Sequence, residues 1–298
     1  MELEGFVIKC VGGFYSVETG EGLYTCRARG RFRKEGVSPC AGDRVKIAAS
    51  PDGTGALAEI LPRRNHLVRP PVANLDRLFV TASLREPVVN LALIDKTLAV
   101  AEVNGIEPVV VFTKADLGSA ERLLEIYRLA GIECCAVSVK TGEGVARVRE
   151  LAAGKVSAFL GNSGVGKSTL LNAAFPGFDL KTGEISQKLG RGRHTTRQVE
   201  FFRLADGGYA ADTPGFSTFD VERYRLTDKD ELIHGFREME RFSQDCQFSS
   251  CSHTCEKGCA VLRAANEGKI ARSRVENYAA MYQEIKGVKK WEQKSKHV

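Results

Sequence analysis

Residues Gly161-Asn-Ser-Gly-Val-Gly-Lys-Ser168 fit the pattern Gly-x4-Gly-Lys-Ser, and they restrict the fold of this chain more than any other feature. An apolar run over 156–160 precedes them, and a helix opens at Lys167. A strand that turns through glycines into a helix wraps its backbone N–H groups around an anion, and the helix dipole adds favourable charge. The surrounding pattern agrees with this geometry. Strand-like runs at 78–82, 108–112, 134–137 and 156–160 alternate with helical spacing over 90–104 and 123–129, and further strands fall near 199–202 and 209–211. Strands alternating with helices predict a parallel sheet covered on both faces.

Gly161, Asn162, Ser163, Gly164, Val165, Gly166, Lys167, Ser168 and Thr169 are therefore candidate phosphate-binding residues. Lys167 is expected to reach the β- and γ-phosphates, which makes it a candidate catalytic residue, and Ser168 to ligate Mg²⁺. Asp212-Thr-Pro-Gly215 follows an apolar run ending at Ala211. An aspartate there holds Mg²⁺ through water, and the Gly215 N–H faces the γ-phosphate.

Thr113-Lys114-Ala115-Asp116 also stands at a strand end. A carboxylate in that position accepts from the N1–H and exocyclic amino group of guanine, a pair of donors that adenine lacks. The stem of Lys114 would lie along the base. An aspartate capping a helix is the ordinary alternative for Asp116. Many GTPases carry asparagine where this chain has Thr113, so one loop-tethering amide is absent and looser base affinity is expected. Ser138-Val-Lys140 fits a companion loop closing over guanine. Together the loops select GTP, cycling to GDP, over ATP. Their order is circularly permuted, because both guanine loops precede the phosphate loop. A parallel sheet tolerates that order when the old termini lie close together.

Between the phosphate loop and Asp212 lies the basic, glycine-rich run Leu189-Gly-Arg-Gly-Arg-His-Thr-Thr-Arg197. It suits a switch loop that orders around γ-phosphate and Mg²⁺, with Thr195 or Thr196 as metal ligand. Phe216 occupies the place of the glutamine that orients water in Ras-like proteins, so intrinsic hydrolysis should be slow. His194 is the nearest polar substitute; surface exposure is the commoner fate of such a histidine.

A length of 298 residues suits two or three compact units. Short alternating segments up to about residue 69 predict a five-stranded barrel of the OB or SH3-like type over 1–68. The stretch from Arg63 to Pro71 looks like a linker. The α/β unit spans 69–222, and a charged, helical, cysteine-bearing unit spans 223–298. Cys246, Cys251, His253 and Cys259 supply three thiolates and an imidazole, a set for one structural Zn²⁺, with Cys255 as a fifth candidate. The other cysteines lie among apolar residues and read as buried free thiols.

The net charge of +6 is too small to imply nucleic acid. Its distribution is more informative. Residues 286–298 carry five lysines against one glutamate, and Arg27, Arg29, Arg31 and Arg33 recur at a spacing of two. On an extended strand those four arginines would share one face, a candidate RNA surface or simply a solvated strand. No apolar run is long enough to span a bilayer, and the start carries Glu2 and Glu4 in place of a secretory leader's basic and apolar segments. A cytoplasmic monomer without membrane contact is expected.

These motifs make the chain similar to the RsgA (YjeQ/YloQ) family of small ribosomal subunit biogenesis GTPases. The resemblance covers nearly the whole length, including Arg69-Pro-Pro-Val-Ala-Asn-Leu-Asp76, the permuted order and the spacing Cys-x4-Cys-x-His-x5-Cys. It implies an OB-fold, a permuted GTPase domain and a helical zinc-binding domain acting late in small-subunit maturation. It also implies contact with rRNA, hydrolysis stimulated by the subunit, and a catalytic role for His194. Thr113 and Cys255 depart from the commonest family pattern. The residues alone leave open a nucleotide-gated RNA-binding module, or a GTPase acting on the large subunit or another RNA.

Overall fold

The structure is a computed structural model that describes residues 1–28, 32, 36–178, 180, 199–213 and 229–286. The first five strands are β1 (Glu2–Val11), β2 (Phe14–Thr19), β3 (Gly22–Ala28), β4 (Arg44–Ala49) and β5 (Thr54–Ile60). They run in the order β1-β2-β3-β5-β4, with β3 and β5 parallel, and β4 closes onto β1 through pairs from Glu2↔Ala48 to Phe6↔Arg44. That closure is OB-like. Val7, Val17, Cys26, Val45, Ile47 and Leu57 fill the interior and are fully buried. Strand β3 ends at Ala28, so of the spaced arginines only Arg27 lies on a described strand. Arg29, Arg31 and Arg33 fall outside the described residues.

The stretch expected to be a linker is a packed hairpin of β6 (His66–Val68) and β7 (Pro71–Ala73). Its Leu67 and Val72 are buried, and Ala41 of the barrel bridges to Val72. Arg63 grips the buried Asp43 carboxylate through Nε at 2.7 Å and Nη2 at 2.8 Å. Asn74, in the left-handed region at φ 58°, donates to Gly42 O at 2.9 Å. The side chains at 63–65 bond to Asp43 and to the backbone of Asn74 and Leu75, where barrel and sheet meet.

The second unit contains β8 (Arg77–Ser83), β9 (Glu107–Thr113), β10 (Glu133–Val137), β11 (Lys155–Gly161), β12 (Glu200–Arg203) and β13 (Gly208–Asp212). Their order is β10-β9-β8-β11-β13-β12, all parallel except β12. Helices α1 (Leu91–Val103), α2 (Glu121–Leu129), α3 (Val145–Ala152) and α4 (Lys167–Ala174) connect them. The Asn90 side chain caps α1 by accepting from Leu93 N at 3.0 Å. Strands β8 and β9 are buried at every position after the first because helices cover both faces. The pair Lys9↔Glu200 splices β1 onto β12, so barrel and α/β sheet form one eleven-stranded sheet.

Three further helices follow, α5 (Arg237–Ser243), α6 (Ala260–Asn266) and α7 (Arg272–Lys286). Phe6 of the barrel, Leu78 and Val199 of the α/β sheet, and Met239, Tyr278 and Ile285 of the C-terminal helices belong to one buried cluster. At its heart Arg274 is fully buried. It binds Glu238 through Nε at 2.7 Å and Asp95 of α1 through Nη1 at 2.9 Å, and it stacks on Phe236 at 4.5 Å. Asn277 and Tyr127 donate to the same Asp95 carboxylate, at 2.6 and 3.2 Å. No helix among the described residues is long and apolar enough to cross a membrane.

Removing Arg274 leaves two carboxylates buried without a cation. Arg274→Ala should therefore lower the unfolding free energy by about 3–5 kcal/mol in urea titrations. Glu267→Ala, which breaks an exposed pair with Lys269, should leave it nearly unchanged.

Candidate functional site

Parallel register brings the sequence motifs to one edge. Thr113 pairs with Val137 and with Ser83, Thr81 with Gly161, and Phe159 with Asp212. The loops that leave β9, β10 and β11 and the end of β13 therefore open at the same height, on the carboxyl side where α/β sheets hold ligands. Gly161 must be glycine. A Cβ there would sit 2.7 Å from Thr81 O and 2.9 Å from Val165 Cγ2. Gly164 and Gly166 adopt φ of 82° and 91°, which lets the loop curl before α4 starts at Lys167.

The Lys167 ammonium contacts the Asp212 carboxylate and donates to Thr213 O at 2.5 Å. Ser168 Oγ lies 3.5 Å from the other Asp212 oxygen. The Thr213 hydroxyl holds this turn to β11 by donating to Phe159 O at 2.8 Å. A lysine, a hydroxyl and a carboxylate thus converge beside the glycine loop, which is the set a phosphate chain and a hard cation require. Asn162 is half-buried, while Ser163 and Thr169 are exposed.

On the other side of the loop, Lys114 takes a left-handed conformation at φ 59° and opens a short turn, Ala115–Leu117. No side chain caps that turn, so Asp116 is not a helix cap here. Its exposed carboxylate accepts from Ser138 Oγ at 2.9 Å, and Ser138 Oγ in turn accepts from Thr141 N at 3.2 Å. Gly144 allows this second loop to pack, since a Cβ would fall 2.1 Å from Ala136 O. Lys140 is exposed at its rim. The tether expected to be missing at Thr113 is present in another form, because its hydroxyl lies 2.5 Å from Val165 O. His194, Thr195, Thr196 and Gly215 lie outside the described residues.

The cysteine cluster is equally compact. The ligand atoms of Cys246, Cys251, His253 and Cys259 lie within 4.8 Å of one another. Tetrahedral zinc with Zn–S of about 2.3 Å and Zn–N of about 2.05 Å requires S···S near 3.8 Å and S···N near 3.6 Å. The observed separations are 3.9 Å for Cys246–Cys259, and 3.5 and 3.6 Å from His253 Nδ1 to Cys246 and Cys259. The set fits one zinc ion, with the imidazole entering through Nδ1. Burial holds the His253 imidazole below its ordinary value, which favours the neutral ligating form. Exposed Cys255 stands outside the set. Glu256 orders the loop between ligands. Although burial opposes its ionisation, hydrogen bonds from Ser252, Cys255 and its own N–H hold its carboxyl down at about 2.

On the barrel, Phe14 pairs with Arg27 across β2 and β3, and the Arg27 guanidinium lies 4.5 Å over the Phe14 ring. Phe14 is 43% exposed beside exposed Val11. Sequence spacing singled out Arg27 and missed Phe14, because the pairing depends on hairpin register across Gly20 and Glu21.

The RsgA GTPase family model matches residues 60–222, and the RsgA N-terminal domain model matches residues 4–57. A curated relative from Caldanaerobacter subterraneus subsp. tengcongensis, "Small ribosomal subunit biogenesis GTPase RsgA", is 44% identical over 95% of this chain and 96% of its own length. A relative of the same name from Streptococcus pneumoniae is 44% identical over 95% of this chain and 94% of its own. The crystal structure of YjeQ from Thermotoga maritima superposes with a TM-score of 0.78 at 33% identity, covering 97% of this chain and all of that one. YloQ, described as a circularly permuted GTPase, gives 0.78 at 32% identity, covering 96% of each chain. With a family model over more than half its residues and relatives of this identity along nearly all of it, the chain belongs to the RsgA GTPase family.

Proposed function

We propose that this chain binds GTP with Mg²⁺ across the four converging motifs and hydrolyses it as a factor in small ribosomal subunit maturation. GTP hydrolysis is the reaction of its family. The observation that carries the detailed reading is the meeting of Asp116 and Ser138 with Lys167, Ser168 and Asp212 at one sheet edge. Asp116 would accept from the guanine N1–H and exocyclic amine, with Ser138 holding the carboxylate in place. The backbone N–H groups of 164–169 would receive the phosphate chain, and Lys167 would exchange its Asp212 contact for β- and γ-phosphate oxygens. Mg²⁺ supplies charge neutralisation between those phosphates when bound, and Ser168 and Asp212 are the residues positioned to hold it.

Gly215, Thr195 or Thr196, and His194 complete the site from sequence. Phe216 cannot orient water, so His194 is the group proposed to do so when the small subunit is bound. Phe14 and Arg27, with Arg29, Arg31 and Arg33, would form the rRNA face, since an aromatic ring beside guanidinium groups suits unpaired bases and phosphates. One Zn²⁺ per chain at Cys246, Cys251, His253 and Cys259 would supply folding energy to the C-terminal helices. A cytoplasmic monomer remains the expected form, and the names of the relatives are the reason to favour the small subunit over other RNA.

Purified small subunits should accelerate GTP turnover, and His194→Ala should remove about 10²-fold or more of the accelerated rate while GTP affinity changes by less than about twofold. Equal acceleration by large subunits would overturn the choice of partner and leave the GTPase reading intact. For the metal, elemental analysis should find about one zinc per chain. Cys255→Ser should retain that zinc, whereas Cys259→Ser should lose it. On the barrel, Arg27→Ala should reduce the slope of log affinity for the subunit against log salt by about one unit. Phe14→Ala should weaken binding at every salt concentration with the slope unchanged.

A further inference from the structure

The chain that leaves β8 for α1 meets the guanine loop at three successive residues. Leu84 N donates to Thr113 O at 3.1 Å, Arg85 Nε donates to Leu117 O at 2.9 Å, and Glu86 O accepts from Lys114 Nζ at 2.5 Å. The Arg85 backbone is itself fixed, since its N–H donates to Oγ of buried Ser83 at 3.3 Å. Its guanidinium runs past the exit of the loop, where a Cβ on Gly118 would lie 3.9 Å from Nε and 4.0 Å from Nη2. Thr113 and Lys114 are thus held at the entry of the loop, and Arg85 holds its exit.

The exit needs holding because the turn between is weak by itself. Ala115–Leu117 is a single turn of 3₁₀ helix, with Leu117 N on Lys114 O at 3.0 Å and Gly118 N on Ala115 O at 3.5 Å. One such turn fixes several dihedrals in return for bonds of poor geometry. Lys114 adds to the cost with its φ of 59°. Asp116 is exposed in the middle of this turn, and reading guanine requires its carboxylate to face two donors on one base edge. Ser138 Oγ steadies the carboxylate at 2.9 Å. The charge-assisted bond from Arg85 to the carbonyl one residue beyond Asp116 steadies the backbone that carries it.

We propose that Arg85 is a positioning residue for guanine recognition, whose guanidinium holds the Leu117 carbonyl and so fixes the turn that presents Asp116. This rests on the base-site reading above. The contact is made by Nε, the guanidinium nitrogen nearest the backbone, so a donor at that place is what the turn requires. The amide nitrogen of glutamine stands the same number of bonds from Cα as Nε of arginine. Glutamine therefore keeps the donor and loses the charge, whereas methionine keeps the length and loses both.

The test compares dissociation constants of GMP, GDP, GTP and IDP, measured by displacement of a fluorescent guanine nucleotide from the full chain. The base of IDP lacks the exocyclic amine, so the ratio of GDP to IDP affinity reads how well Asp116 is aimed. Arg85→Met should weaken GMP, GDP and GTP by one common factor, roughly 3- to 10-fold, the loss of one hydrogen bond. The same variant should narrow the gap between GDP and IDP. Arg85→Gln should stay within about twofold of wild type for all four nucleotides, because the donor is kept. Arg85 is exposed, so neither substitution opens the core. A loss that grows from GMP to GTP would mean that the Arg85 charge attracts phosphates, and would overturn the assignment. Equal losses in Arg85→Gln and Arg85→Met, an unchanged GDP-to-IDP ratio, or undiminished GDP affinity in Arg85→Met would each do the same. Asp116→Asn is the control for the underlying site. If that variant keeps the wild-type preference for GDP over XDP, the base-site reading itself fails, whatever Arg85 does.

Discussion

Everything at the candidate site hangs on the parallel register of β9, β8, β11 and β13. Pairing Thr113 with Ser83, Thr81 with Gly161 and Phe159 with Asp212 aligns strand ends that are far apart in sequence. A shift of one residue in any pair would turn each side chain to the opposite face of the sheet. Such slippage is blocked because both faces are buried, with Phe79 stacked on Phe159 at 4.3 Å under α3 and α4. The same alignment explains why circular permutation is harmless here. The site is defined by which strand ends are adjacent, and adjacency is indifferent to the order in which the chain visits them.

Permutation does change what the site is attached to. Beyond Asp212 the chain enters the C-terminal segment, whose helices are seated on α1 through Arg274, Asp95 and Glu238. One cation between two carboxylates is a costly element to bury, and its Coulomb attraction offsets desolvation only with well-formed hydrogen bonds. Asn277 and Tyr127 complete those bonds on Asp95. The bonds from Arg274 and Asn277 join α7 to α1 beside the apolar packing of Tyr278, Met281 and Ile285. Cys246, Cys251, His253 and Cys259 all lie in the short connection between α5 and α6.

Motifs whose chemistry is local were legible in the sequence. The glycine loop, the cysteine spacing and the alternating strands each carry their information within about twenty residues, and the structure brings their members together. Contacts that depend on register or long-range burial were not. Phe14 meets Arg27 only because of hairpin pairing, and nothing near Arg274 announces a buried guanidinium. The stretch from Arg63 to Pro71 looked like a linker, with polar Arg63, Arg64 and Asn65 at its start. Two of them turn inward, Arg63 onto the Asp43 carboxylate and Asn65 onto the Leu75 backbone, while the exposed Arg64 donates to Asn74 O. At Thr113 the amide is absent as expected, and the contact of its hydroxyl with Val165 O depends on how β9 sits beside the phosphate loop.

Strand β1 carries the last consequence. Its first half belongs to the barrel, pairing with β4, and Lys9 in its second half pairs with Glu200 of β12. Glu200 pairs in turn with Asp212, which pairs with Phe159. Ser16, Lys9, Glu200, Asp212 and Phe159 thus form one row of register partners from barrel to phosphate site. The Lys9–Glu200 ion pair at 2.6 Å and the stack of Phe6 on Tyr209 at 4.3 Å reinforce that row on either side. A rigid-body swing of the barrel would have to break backbone pairing one strand away from Asp212. The barrel is therefore part of the same sheet that positions Asp212, and its orientation on any partner is set by the strand that the aspartate terminates.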